Sequence, residues 1–210
     1  MAVEVSNCNR HDKPLNSATK GRYEMAKRDD AEVEVKSLIA PPRELRVSNA
    51  SRVVFPATDH TPPITKLGLV NYVVELGEPL LRVLHHRPTT LERWPNGVHP
   101  GMHLGRGKDD GGFYQKHMMR AGPDYVDGVE VAFPSGRTAR EICPTEPAVL
   151  AWCVQMGTVT FHPWPVRRTS DPTSLDRPDE LRIDLDPQPG IPFPEVGGCP
   201  EFRGTSAAAR

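Results

Sequence analysis

Aromatic residues are scarce in this chain. They make up 6% of 210 residues, and mean hydropathy is −0.49, so the core is expected to be thin for the length. Long hydrophobic runs are also missing. No apolar stretch approaches the roughly 20 residues of a membrane span, and the first residues lack the hydrophobic run of a signal peptide. A soluble cytoplasmic protein with no membrane partner is the expectation. Cysteine is sparse, with four residues at 8, 143, 153 and 199. None forms a C-x-x-C pair, which argues against a zinc ribbon or a thioredoxin-type motif and suggests free thiols in a reducing compartment. The formal net charge of −1 leaves no global basic field. What is abundant is proline (23) and glycine (17), which predicts many loops around a single domain.

Residues 1–42 are polar and mixed in charge, and are expected to be a disordered extension ending at Pro41-Pro42. Within it, Ala31 to Ala40 has the composition of a short strand. Leu45 to Phe55 reads as strand, turn, strand, with Ser48-Asn49 at the turn. From Ile64 the apolar stripe of Leu67, Val70, Val74 and its neighbours predicts a helix capped by Thr65 and interrupted near Pro79. Thr89 to Trp94 is a predicted strand. Val129–Phe133 and Thr138–Cys143 predict a hairpin. Glu146 to Met156 is apolar nearly all round, which predicts a buried helix. Thr158 to Pro165 predicts a strand ending in His162-Pro163-Trp164.

Three local patterns carry chemistry. Leu181 to Asp186 alternates apolar and charged residues, the period of a strand. On a strand, Asp184 and Asp186 share one face about 7 Å apart and could hold hard divalent cations; the alternative is a solvated strand face. Gly112 to His117, GFYQKH, sets two aromatics before a cation, the composition of a surface that stacks bases and grips phosphate; the alternative is an ordinary strand with one ring buried. Across 82–120, seven lysines and arginines face three acids, with five histidines besides, a local basic excess suited to a nucleic-acid track. His99 and His103 fall in a loop too rich in glycine for a helical metal pair, and a solvated loop is the reading there.

Taken in order, SNASRVVFP, ITKLGLVNYV, RPTTLERWPNGV, GFYQKH, VLAWCVQMGTVTFHPW and DRPDELRIDLDPQPG resemble the polymerase domain of bacterial ATP-dependent DNA ligase D. That family belongs to the archaeo-eukaryotic primase superfamily and serves non-homologous end joining. The resemblance spans about residues 44–190. It implies an α+β fold over 43–190, the N-terminal half of a primase-type palm with a mostly antiparallel sheet and flanking helices. It implies metal-dependent nucleotidyl transfer at DNA ends, with Mn²⁺ or Mg²⁺ as cofactor. The implied partners are DNA ends bearing a 5′-phosphate, nucleoside triphosphates, Ku and an ATP-dependent DNA ligase, in the nucleoid-associated cytoplasm.

Residue by residue, the resemblance makes Asp184 and Asp186 the first two catalytic, metal-holding carboxylates. It makes His162 a contact to the incoming nucleotide, and Phe113 and Tyr114 the aromatic pair that stacks on template. Lys66 matches a lysine that binds the downstream 5′-phosphate, with Arg52 in place of a partner lysine. Arg93 and Lys116 fall at basic positions of the same surface, while Glu92 stands where some relatives carry a basic residue. The family pattern continues with a helix, a serine–glycine–lysine–histidine element and a strand bearing a third carboxylate. Residues 191–210 match none of these. The expectation is therefore a chain that ends in an aberrant or disordered tail and holds the first half of the domain, with reduced activity. The alternative is a non-catalytic remnant that binds DNA ends. A metal-dependent phosphoesterase built on the D-x-D pair ranks last.

Overall fold

The computed structural model describes residues 29–105, 111–119, 121–171 and 173–183, together with the backbone of 195–196 and 199–200. Nine strands and three α-helices lie between residues 31 and 163 of the described chain.

The centre of the molecule is helix α3 (Pro147–Gln155). Its residues 147–154 are all buried, with Val149, Leu150, Ala151 and Cys153 fully so. A helix without a polar face must be covered on every side. A hairpin, two helices and a sheet do this.

The hairpin is β1 (Ala31–Val35) paired antiparallel with β2 (Arg43–Val47). Val35, Leu45 and Val47 face the core, and the charged residues between them face outward. The boundary expected at Pro41-Pro42 is therefore the connection of this hairpin, and residues 31–35 belong to the fold. The apolar alternation of AEVEV supplies buried partners that a free extension would lack. After a turn, β3 (Val53–Phe55) pairs with the two-residue β4 (Ile64–Thr65).

Thr65 then caps α1 (Lys66–Glu75), its hydroxyl accepting from Gly68 N at 3.1 Å. The helical run breaks at Leu76, and α2 (Gly77–Leu84) begins anew. Pro79 lies in the first turn of α2, where a missing N–H leaves no helical bond unmade. The break therefore comes ahead of the proline and not at it.

The sheet is organised around β5 (Thr89–Arg93). One edge of β5 pairs along its length with β9 (Thr158–Pro163). The other edge is shared: β6 (Phe113–Gln115) pairs with residues 91–93, and Thr89 pairs with Ile142 of β8 (Thr138–Ile142). β7 (Gly128–Ala132) completes the order beyond β8. All these pairings are antiparallel. The α+β fold with a mostly antiparallel sheet and flanking helices is as expected.

Because side chains alternate along a strand, each strand of the sheet divides its residues between two faces. Leu91 points into the core cluster that includes α3. Thr90 and Glu92 point to the opposite face. Gly157, at φ +91°, ends α3, and its carbonyl accepts from Trp94 N at 2.7 Å. That bond fixes where β5 ends relative to the helix. Among the described residues, no helix is long and apolar enough to cross a membrane.

The strand predicted over Leu181–Asp186 is corrected as far as it is described. Leu181 to Ile183 join no ladder, and Leu181 and Ile183 are 88% and 72% exposed. Their apolar face meets no covering layer among the described residues, so alternation alone does not make a strand here.

Candidate functional site

The pleat divides the F-Y-Q-K segment in two. Phe113 pairs with Arg93, Tyr114 with Glu92 and Gln115 with Leu91. Phe113 and Gln115 therefore share the face of Leu91, while Tyr114 and Lys116 share the face of Thr90 and Glu92. The side-chain contacts agree. The Arg93 guanidinium stacks over Phe113 at 5.4 Å, and the Tyr114 ring meets His162 edge-on at 5.4 Å and 74°. Strand alternation turns the two adjacent rings to different sides of β6, while both residues border one depression.

Tyr114, Lys116 and His162 line an open cleft of about 1170 Å³, together with Thr90, His117, Arg137 and, at its edge, Phe113. Tyr114 is 53% exposed. The Lys116 ammonium sits 4.5 Å from the Phe133 ring, which also lines the cleft and packs on Trp164. An exposed ring, four basic or imidazole side chains and a hydroxyl around one depression can stack a base and pair with phosphate oxygens.

His162 is held from the wall. Its Nε2 lies 3.4 Å from Glu92 Oε2, and Glu92 Oε1 accepts from Trp94 Nε1 at 2.7 Å. Trp94 is buried and sits so close to Gly112 that a Cβ there would fall 2.5–2.8 Å from the indole. The glycine before the two aromatics thus makes room for the tryptophan that steadies Glu92.

Below the cleft lies a carboxylate that the sequence reading did not single out. Glu141 is fully buried, accepting from Thr90 Oγ1 at 3.2 Å and Trp164 Nε1 at 3.1 Å. Burial pushes its carboxyl above the usual range, against those hydrogen bonds and the nearby Lys116 and His117 charges. The signal available in sequence was parity: on a strand, Glu141 shares a face with Ala139, which lines the cleft.

Arg93 is engaged. Its guanidinium donates to the Met156 carbonyl and to Gln115 Oε1, and burial lowers its pKa. It ties β5 and β6 to the end of α3.

Lys66 and Arg52 occupy a second place. Lys66 is buried at the start of α1, where Nζ donates to the Ser48 carbonyl and lies 3.5 Å from Ser48 Oγ. Burial, then the Arg52 charge, lower its pKa. Arg52 is exposed and donates to the Pro95 carbonyl at 2.5 Å. Two cations beside a helix N-terminus whose hydroxyl cap is already in use make an electropositive corner.

Asp184 and Asp186 lie outside the described residues. The chain leading to them is anchored beside β9. Asp179 N donates to Pro165 O at 3.0 Å, and Arg182 Nη1 donates to Pro163 O. From 179 to 182 the chain thus runs back along β9, from Pro165 towards Pro163. Among the described residues, no group of three potential metal ligands comes together. Cys143 and Cys153 are buried, their thiols pushed up to about 11 and about 12 by burial, so they are not nucleophiles.

The family model of the LigD primase-polymerase domain matches residues 65–199. The "Multifunctional non-homologous end joining protein LigD" of Pseudomonas aeruginosa is 31% identical over 150 residues, 71% of this chain and 16% of that protein. The corresponding DNA repair protein of Mycobacterium tuberculosis is 29% identical over 156 residues, 72% of this chain and 19% of that protein. The chain thus spans less than a fifth of these relatives. The solved polymerase domain of M. tuberculosis ligase D in complex with DNA superposes with a TM-score of 0.50 at 29% identity, covering 61% of this chain and 39% of that one. This chain belongs to the LigD primase-polymerase family.

Proposed function

We propose that this family member carries out metal-dependent, template-directed nucleotide addition at DNA ends during non-homologous end joining. One observation carries the reading: Tyr114, Lys116 and His162 converge on one cleft, beside the chain that leads to Asp184. Tyr114 would stack on a template base, Lys116 and Arg137 would pair with phosphates, and His162 would contact the incoming nucleoside triphosphate. Lys66 and Arg52 would take the downstream 5′-phosphate, and Ku and an ATP-dependent ligase would be partners at the break.

The donor chemistry suits the cofactor. Asp184 and Asp186 are hard oxygen donors of the kind that hold Mg²⁺ or Mn²⁺. A bound divalent ion would activate the primer hydroxyl and brace the triphosphate. Incorporation of a labelled nucleotide opposite a DNA gap tests the reading, with Asp184→Ala expected to abolish it.

A second reading, DNA-end binding without catalysis, is favoured by Lys66 and Arg52, two cations brought together where Lys66 N donates to the Arg52 carbonyl at the start of α1. It predicts affinity for a 5′-phosphorylated gap, lowered by Lys66→Ala, with no incorporation.

A further inference from the structure

Glu92 is the acidic residue in a stretch otherwise suited to anionic ligands, and its place in the cleft wall gives it a use. Glu92 is the cross-strand partner of Tyr114 and of Thr160, while His162 is the partner of Thr90. On one sheet face Glu92 and His162 are therefore diagonal neighbours, within reach of long side chains. The Glu92 side chain is 15% exposed and that of His162 is 44% exposed. The carboxylate is sheltered while the ring opens to the cleft.

Both carboxylate oxygens are committed. Oε1 takes the Trp94 indole proton at 2.7 Å, and Oε2 faces His162 Nε2 at 3.4 Å. A carboxylate only accepts hydrogen bonds. The ring nitrogen that faces it must therefore carry a proton, and in the neutral imidazole that leaves the lone pair on Nδ1. Tyr114, edge-on to the ring, restrains its tilt from across β5.

We propose that Glu92 is a positioning residue for His162: it holds the ring with Nε2–H directed at the wall and presents Nδ1 to the occupant of the cleft. Trp94 holds Glu92, and the space left by Gly112 holds Trp94. The chain of support runs from backbone to carboxylate to imidazole, the arrangement by which a hydrogen-bonded partner fixes a histidine tautomer. The acid costs the site little as a repulsive charge, because both of its oxygens face donors. That the occupant is a nucleotide rests on the function proposed above. The tautomer does not.

The test is nitrogen NMR of the full chain labelled at histidine, at about pH 8, above the ordinary imidazole range. The chain has eight histidines, and His162→Gln assigns the signal. The Nε2–H tautomer is expected in the native protein. It is expected to persist in Glu92→Gln, whose amide oxygen still accepts, and to give way to a tautomer mixture in Glu92→Ala. An Nδ1–H tautomer in the native protein, or an unchanged signal in a folded Glu92→Ala, overturns the proposal. Addition of a nucleoside triphosphate is expected to move the Nδ1 signal. Its affinity should fall about tenfold in Glu92→Ala, the loss of one hydrogen bond, and less than about threefold in Glu92→Gln. If the triphosphate moves neither nitrogen, the nucleotide reading of the cleft fails, and the tautomer result still decides the role of Glu92.

Discussion

Arg87 and Asp179 form a two-pronged ion pair across 92 residues of sequence, with Nη1–Oδ1 at 2.7 Å and Nη2–Oδ2 at 2.9 Å. The Arg87 side chain is completely buried, and it also donates to Glu180 and to the carbonyls of Val83 and Trp164. Arg167 adds a further bond to Asp179. The charge where α2 gives way to β5 is thus what fastens the chain just ahead of Asp184.

Removing the acids leaves that buried cation poorly paired. Asp179→Ala combined with Glu180→Ala is expected to cost about 3 kcal/mol in urea unfolding, the scale for breaking a buried ion pair. Replacing Arg87 as well, by Met, should restore part of the loss, because the uncompensated charge is gone. No recovery in the triple variant would contradict this account of Arg87.

The same pair sets an acid limit. Its hydrogen bond to Arg87 holds the Asp179 carboxyl below the usual aspartate range. A lowered acid pKa contributes stability that is present above the unfolded-state value and lost as pH falls through the folded-state value. Stability measured down through the carboxylate range should therefore fall less steeply with acid in Asp179→Asn than in the native chain.

Glu141 has the opposite sign. Burial raises its pKa, so the folded chain binds a proton more readily than the unfolded one, and stability declines as pH rises from the unfolded value through the folded one. Glu141→Gln keeps an acceptor for Trp164 and a donor for Thr90. It should change stability by less than about 1 kcal/mol and remove this decline, whereas Glu141→Ala takes the acceptor from the half-buried Trp164 N–H and should cost about 1–3 kcal/mol. Chemical unfolding across a pH series separates them.

The two aromatics should behave differently. Tyr114→Ala is expected to weaken single-strand DNA binding by about 1–3 kcal/mol, the loss of one stacked base. Phe113→Ala removes the ring beneath Arg93 and should act on stability more than on affinity. Fluorescence anisotropy with a labelled oligonucleotide, alongside thermal unfolding, checks the contrast. Equal effects on affinity would mean that the rings do act as a pair.

Gly112→Ala should destabilise the chain by about 1–3 kcal/mol through collision with Trp94, and should broaden the His162 signal through loss of Glu92's support. An alanine tolerated without either effect would refute the linkage.

Much of this was legible from local pattern. The stripe after Thr65, the apolar ring of residues 147–154 and the alternation of TTLER each dictate their own element. Distant contacts were less visible. Glu141 sits in a strand where a charged residue reads as exposed, and it is buried by Thr90 and Trp164, 51 and 23 residues away. Arg87 reads as the end of a helix, and its partner is 92 residues on. Phe113 and Tyr114 border one cleft, and what the sequence does not display is that strand alternation turns Phe113 towards Arg93 and Tyr114 towards His162. Hairpin β1–β2 was hidden by the polar composition around it, and what reveals it is its pairing and the core it reaches. The arrangement of Asp184 and Asp186 as a pair rests on their spacing in sequence.

The central claim is nucleotidyl transfer, and the most direct measurement is primer extension across a gapped duplex bearing a downstream 5′-phosphate, with Mn²⁺ and each of the four templating bases. The account predicts addition of the templated nucleotide, lost on chelation of the metal and in Asp184→Ala. A folded native chain that binds the gap but adds no nucleotide would contradict it and leave end binding as the function.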